Sequence, residues 1–362
     1  MSRRTLAAVA GAVVAIILCV EATGAAAAYD PISSGTTTLT LAPDFTKVLK
    51  ADGVRLSGTG GVTVKGGVVT FAVAGGKLEP VEAKGVVEHS GSLVFKVGGR
   101  SLPLRALQLK STRRTAPYAA KLGGGQLKLA TTQALKEERL GFGSRFRAPR
   151  LLLTANAATR LDKKLGLPGA FEMGQLLGSS QTDAQPGTVT VKEGGTAELT
   201  LAPEFAAKLS SLFVAVNPVF PAERLGPPFT LRVIGGQIAP DASSGTLETA
   251  GSLELIQQDG GQAFFRELAP ELGLGTTRSE YQFIPSPTAP GPTGIGPLLG
   301  LGAGTVVSDP KARTIGLAGS SLPLSAATVL SLNETFAKPQ GRAGVFQAGE
   351  SLGTLSFTVG AE

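Results

Sequence analysis

The sequence predicts an all-β chain of two tandem, β-sandwich-like domains, each carrying one or two short helices. Three observations carry this expectation. Glycine (49) and proline (23) punctuate the 362 residues at intervals that suit many short strands better than long helices. The stretches between these breaks are β-branched or alternate between apolar and polar residues. Finally, the chain repeats itself. Leu39-Thr-Leu-Ala-Pro-Asp-Phe45 recurs as Leu199-Thr-Leu-Ala-Pro-Glu-Phe205, the segment beginning at Gly75 recurs at Gly235, and that beginning at Gly85 recurs at Gly245; 199−39, 235−75 and 245−85 all give 160. A repeat this long is a pair of domains, since solenoid units run about 20–50 residues.

In chain order, residues 1–28 read as a signal peptide. Arg3 and Arg4 precede an apolar run from Leu6 to Val20, and an alanine tract ends at Ala28. Cys19 raises a lipoprotein alternative, but Leu18 occupies the position where a small residue is needed. Export with Tyr29 near the mature start is the expectation. No later run reaches the ~18 apolar residues of a transmembrane helix, so an integral membrane protein is not expected.

The first domain is placed at 29–185 and the second at 186–362, joined near Asp183 to Lys192. Strands are expected over 36–41, 68–73, 86–97 and 231–234, with 86–97 read as two strands of a hairpin that turns after His89. Helices are expected over 44–50 and 155–165, the latter with Asn156 as a cap. Glu137 and Glu138 read as part of a helix or loop. Phe171-Glu-Met-Gly-Gln-Leu-Leu-Gly178 matches Phe346-Gln-Ala-Gly-Glu-Ser-Leu-Gly353 at an offset of 175, so the second copy carries an insertion of about fifteen residues. Its expected place is a long loop near 285–304. A strand-like segment from Leu352 to Val359 ends the chain.

Composition narrows the chemistry. With one His, one Cys, three Tyr and no Trp, the chain cannot build a His/Cys zinc site, a redox dithiol or a disulfide framework. No Gly-x-Ser-x-Gly elbow accompanies the histidine. The Gly76-Lys77 pair is followed by Leu78 and so fails the phosphate-loop pattern. The glycines at 300–304 precede no helix, so they are not a dinucleotide fingerprint. The chain is read as a non-enzyme with no catalytic or metal residues.

Charge separates the copies. Residues 1–182 hold 24 Lys+Arg against 11 Asp+Glu, and residues 183–362 hold 10 against 16. The stretch 84–164 alone has 17 basic and 4 acidic side chains, among them Arg113, Arg114, Arg145, Arg147 and Arg150. A basic face for an anionic envelope polymer, an acidic partner or the carboxylates of a small ligand is one reading. Docking of a basic domain on an acidic one is the other. Nucleic acid is not expected, because the basic stretch has few aromatic residues for base stacking.

His89 focuses the functional question. His89-Ser-Gly91-Ser-Leu93, between a Gly-Val-Val strand and an alternating strand, resembles the His-x-Gly-x-Leu signature of the HtaA domain. That family comprises exported or surface-bound, often repeated β-rich domains of actinobacteria associated with haem capture. The resemblance implies a tyrosine iron ligand near the domain start, with the histidine hydrogen-bonded to it. Phe45 and Phe205 match the family phenylalanine, but the tyrosine position falls on Val48 and Lys208, and the second copy has Thr249 in place of His89. Haem iron needs a side chain such as His, Cys, Met or Tyr, which here leaves His89, Tyr118 or Tyr281. Two readings follow: a haem-binding module acting through domain 1 and His89, with haem or a haem-transfer partner as what it meets, and a structural or adhesive cell-envelope protein that kept the scaffold and lost the ligand.

Overall fold

The computed structural model describes residues 29–112, 115–122, 125–222, 228–258, 260–285 and 291–362, so the expected signal peptide with Cys19, and also Arg113 and Arg114, lie outside the described residues. The chain is all-β with a few short helices, as its patterning predicts. The first half runs β1 (Asp30–Leu41), α1 (Pro43–Ala51), β2 (Arg55–Thr59), β3 (Thr63–Lys65), β4 (Val68–Leu78), β5 (Gly85–His89), β6 (Ser92–Val97), β7 (Arg100–Ser111), β8 (Tyr118–Leu122), β9 (Gln126–Gln133), β10 (Lys136–Leu140), β11 (Gly143–Leu153), α2 (Ala155–Leu165) and β12 (Leu176–Pro186). Pairing runs β7-β5-β4-β1-β12-β11-β9-β8 and returns from β8 to β7. The two faces of the sandwich are therefore joined by hydrogen bonds at both edges, which leaves that circuit no open edge.

The second half repeats this plan: β13 (Val189–Thr190), β14 (Thr196–Leu201), α3 (Pro203–Ser211), β15 (Val214–Val219), β16 (Phe229–Ile238), β17 (Gly245–Ala250), β18 (Ser252–Gln257), β19 (Gln262–Leu272), β20 (Thr276–Ile284), β21 (Thr293–Gly300), β22 (Thr305–Asp309), β23 (Thr314–Pro323), α4 (Ala326–Leu332) and β24 (Ser351–Gly360). Here the circuit is completed between β21 and the end of β23 by one bridge, Leu299 to Leu324.

The repeated blocks are the parts that pack the helices. Both α1 and α3 begin Ala-Pro-acid-Phe: the proline presets the first helical residue and the carboxylate faces the positive helix end. Phe45 of α1 meets Phe171 at 6.0 Å between ring centroids, and Phe205 of α3 meets Phe346 at 5.6 Å. The two most conspicuous repeat motifs thus form one contact, made twice.

Four local expectations are corrected. The cap of α2 is Thr154, whose Oγ1 accepts from the Ala157 N–H at 3.3 Å, because Thr154 is the last extended residue and Asn156 is already inside the helix. Glu137 and Glu138 lie on strand β10, where Glu138 pairs with Arg147 on β11 at 2.7 Å. Residues 86–97 are not a hairpin: β5 and β6 lie end to end along the same side of β7, with Val86 opposite Lys110 and Ser92 opposite Arg105. The Ser90-Gly91 step is a kink, matched in β7 by Ala106 at φ 48°. Within the expected loop at 285–304, Thr293–Gly300 is instead strand β21, paired with β20. Its glycines make the pairing fit, since a Cβ on Gly294 would come within 3.1 Å of the Tyr281 hydroxyl. The extra length of copy two accumulates in steps, 293−126 giving 167 by the start of β21 and 351−176 giving 175 by β24.

The halves share an apolar contact. Phe142, at the β10–β11 turn of the first half, packs into the apolar cluster of the second. Arg313 lies 5.9 Å over its ring and donates to its carbonyl at 3.2 Å. Beside it, the buried Asp30 carboxylate accepts from the N–H and hydroxyl of Thr190 at 2.8 and 3.1 Å. Burial raises the Asp30 pKa, and the two Thr190 bonds pull it back down.

Candidate functional site

Alternation along β1 and β12 sends Thr37, Ser180 and Thr182 inward. The kink that ends β5 places His89 inward beside them, and Tyr118 enters from β8. These five side chains form one buried chain. His89 Nδ1 is 3.0 Å from the Leu107 carbonyl, and Nε2 is 2.6 Å from Thr37 Oγ1. Thr37 Oγ1 is in turn 2.6 Å from Thr182 Oγ1. Tyr118 Oη lies 3.0 Å from Thr182 Oγ1 and donates to Ser180 Oγ at 3.1 Å.

The bonding fixes the histidine tautomer. A carbonyl only accepts, so Nδ1 carries the proton and Nε2 accepts from the Thr37 hydroxyl. His89 is 6% exposed. Burial lowers its pKa below the usual imidazole value, and the bond to Leu107 offsets part of that. Tyr118 is 4% exposed, and burial raises its phenol pKa despite its hydrogen bonds with Ser180 and Thr182. Both groups are therefore neutral at physiological pH. Phe71 packs its ring edge-to-face against the imidazole at 6.1 Å.

Thr37, Tyr118 and Ser180 also line a narrow cavity of about 50 Å³, whose other walls include Phe45, Phe71, Leu104 and Leu161. Small-molecule pockets run about 300–1,000 Å³. Neither imidazole nitrogen is free, the phenol is not ionised, and the space is too small for a tetrapyrrole. The residues present do not fit a haem as they stand.

The remaining sequence-derived candidates lie elsewhere. Val48 sits half-buried on α1, and Lys208, its counterpart on α3, is ion-paired with Glu350. Tyr281 is half-buried on β20, its ring tilted against Phe283 at 5.9 Å between centroids. Of the three haem-ligand candidates the fold joins only His89 and Tyr118, through two threonines that the sequence reading did not single out.

The second copy replaces the whole chain. His89 and Thr249 hold the same register, opposite Val73 and Val233 respectively. The Thr37–Thr182 pair becomes Ala197–Phe357 in the identical cross-strand position. Tyr118, paired with Leu109, becomes Thr277, paired with Pro270. Only the counterpart of the Leu107 contact survives in kind: Thr249 Oγ1 donates to Leu268 O on β19 at 2.6 Å. The glycine and leucine of the His-x-Gly-x-Leu pattern persist for packing. Gly91 has φ 76°, and a Cβ there would lie 2.5 Å from the carbonyls of Thr59 and Gly60. Gly251 is equally constrained, at φ 111° with Ala222 N at 2.7 Å. Leu93 and Leu253 are both buried.

The fold and this interior define a closed, apolar-cored β-domain made twice, with the His89–Tyr118 polar chain, among the described residues, inside the first copy. No family model matches the chain, and no curated protein matches it. Among solved structures it is similar to the C-terminal domain of HtaA from Corynebacterium glutamicum, at 12% identity over 43% of this chain and 98% of that one, with a TM-score of 0.34. It is also similar to the N-terminal domain of the same protein, at 14% identity over 47% of this chain and 99% of that one, with a TM-score of 0.36. Among the described residues no helix is long and apolar enough to cross a membrane, and no group of three or more His, Cys, Asp or Glu side chains could hold a metal ion.

Proposed function

We propose that this chain is an exported, non-enzymatic protein of the cell surface, built from two HtaA-like domains at 29–185 and 186–362, and that it serves a structural or adhesive role. In this reading His89 is a hydrogen-bonding strut of the first domain and haem capture through it has been lost. One observation carries the reading: both imidazole nitrogens are engaged, by Leu107 O at 3.0 Å and Thr37 Oγ1 at 2.6 Å, inside a closed core. An iron ligand needs a free lone pair facing an open site. Here the lone pair is on Nε2 and already accepts a hydrogen bond from the Thr37 hydroxyl.

Hemin titration of the mature chain, followed in the Soret region, tests this. The expected result is no shift that saturates at fixed stoichiometry. A saturating shift abolished by His89→Ala would establish the haem reading instead. A saturating shift that survives His89→Ala and vanishes in Tyr118→Phe would move the iron contact to Tyr118, the residue that shares both the hydroxyl chain and the cavity.

A further inference from the structure

The solvent face of β7, β8 and β9 lacks two ion pairs that the second domain builds at the matching positions. Arg105 on β7 stands directly opposite Lys121 on β8. Two cations in one cross-strand pair repel and destabilise a sheet. At the same place in the second domain, Arg266 stands opposite Glu280 and forms an ion pair at 3.7 Å.

A second pair shows the same reversal. Val86 opposite Lys110 corresponds to Thr246 opposite Glu271, and Gln108 opposite Ala119 corresponds to Ala269 opposite Arg278. Thus Lys110 and Ala119 replace the Glu271–Arg278 pair, which closes at 3.9 Å. Where Arg278 fills the second domain's surface, the first has only a methyl group. Above it is a concavity of about 310 Å³ lined by Lys110, Pro117, Ala119, Gln126, Leu127 and Lys128. Lys128 faces Ala119 across the strand pair. Arg105, Lys110, Lys121 and Lys128 are all exposed, and none has an ion-pair partner among the described residues. The amides are also in place: Gln126 donates to Gln108 at 2.5 Å, and Gln108 donates to Glu88 at 3.0 Å.

We infer that this face of the first domain binds a hydroxyl-rich polyanion of sugar or polyol units, seating one anionic group over Ala119 between the Lys110 and Lys128 ammonium groups. A neighbouring anion on the polymer then lies against Arg105 and Lys121. The anion supplies the countercharge that the second domain builds into its own sheet. The absence of aromatic side chains from the concavity removes the stacking platform that a single-stranded nucleic acid uses, while the glutamine amides suit sugar hydroxyls. The carboxylate of a uronic acid and a phosphodiester share this chemistry. The face is on the solvent side of the sheet whose inner side holds His89, so its binding is independent of the role of that residue.

The test uses the mature full-length chain and calorimetric titration with four probes: alginate, poly(glycerol phosphate), neutral dextran and oligo(dT). Alginate or poly(glycerol phosphate) should bind, dextran should not, and the preference between the first two identifies the anion. Binding should weaken as added salt shortens the Debye length below about 10 Å. Installing the second domain's pattern, with Lys110→Glu, Ala119→Arg and Lys121→Glu together, should cut affinity by about tenfold or more without lowering the melting temperature. Lys110→Gln with Lys121→Gln, confined to exposed positions, should weaken binding in the same direction. Failure of both acidic polymers to bind, unchanged binding by the Gln variant, or tighter binding of oligo(dT) than of either polymer would overturn the inference.

Discussion

Replacing His89 measures what the buried chain contributes. His89→Ala removes the donor to the Leu107 carbonyl and the acceptor for Thr37, both inside the core. A buried polar group left without its partner costs about 1–3 kcal/mol. Thr37 keeps Thr182 at 2.6 Å, so the larger loss falls on Leu107. Deleting the ring also strips the edge-to-face contact with Phe71 and opens a void beside the existing cavity. Together these give a cost of about 3–5 kcal/mol to the first domain. His89→Thr should be milder, about 1–2 kcal/mol, because Thr249 in the second domain reaches the matching carbonyl, that of Leu268 on β19, at 2.6 Å. Urea unfolding followed by circular dichroism, with amide exchange to assign the transition to the first domain, reads both values. An Ala variant within about 0.5 kcal/mol of the parent, or a Thr variant as costly as Ala, would refute a supporting role for the imidazole.

Three further outcomes follow from the same structure. Because burial lowers the folded-state pKa of His89, the unfolded chain binds a proton that the folded chain resists; stability should be indifferent to this residue above pH ~6.5 and fall as pH drops below it, by at most ~1.4 kcal/mol per pH unit. With one histidine in the sequence, His89→Gln should flatten that slope between about pH 7 and 5, and an unchanged slope would assign it elsewhere. Gly91→Ala should destabilise the first domain by about 2 kcal/mol or more, since φ 76° and the nearby Thr59 and Gly60 carbonyls both exclude a Cβ; melting within a degree of the parent would show that the kink relaxes. Phe142→Ala should cost the docked pair about 3 kcal/mol and expand the particle in small-angle X-ray scattering, because its ring packs in the other domain's core; an unchanged radius of gyration would show that the Asp30–Thr190 bonds suffice.

What the sequence disclosed were the features set by local chemistry. The Ala-Pro-acid-Phe starts, the alternation on 68–73 and the register of three repeat blocks reappear as α1, α3, β4 and the matching strand positions of His89 and Thr249. Pairing was harder to read. Ser90-Gly91 has the composition of a turn, yet the long strand β7 holds β5 and β6 in line, so the step becomes a kink. The Gly- and Pro-rich stretch near 295 becomes a strand because β20 offers an edge and the Tyr281 ring covers Gly294. The polar chain was half visible. His89 and Tyr118 stood out by rarity, but Thr37 and Thr182 are ordinary residues 145 positions apart, joined only by strand pairing. A signal was present in the alternation: the inward series at 37, 39 and 41 opens on a threonine where the second copy has Ala197, Leu199 and Leu201. The cross-strand meeting of Arg105 with Lys121 likewise needs the register, since neither residue is unusual in a basic stretch.

The state of the single imidazole decides whether His89 is a strut or a ligand. Selective ¹⁵N labelling of histidine gives one side-chain spin system, recorded by long-range ¹H–¹⁵N correlation from neutral pH downward, with and without hemin. The bonding pattern predicts a neutral ring protonated on Nδ1, titrating below the ordinary imidazole value and unmoved by hemin. A ring that titrates near pH ~6.5, carries its proton on Nε2, or is broadened away when hemin is added would contradict it.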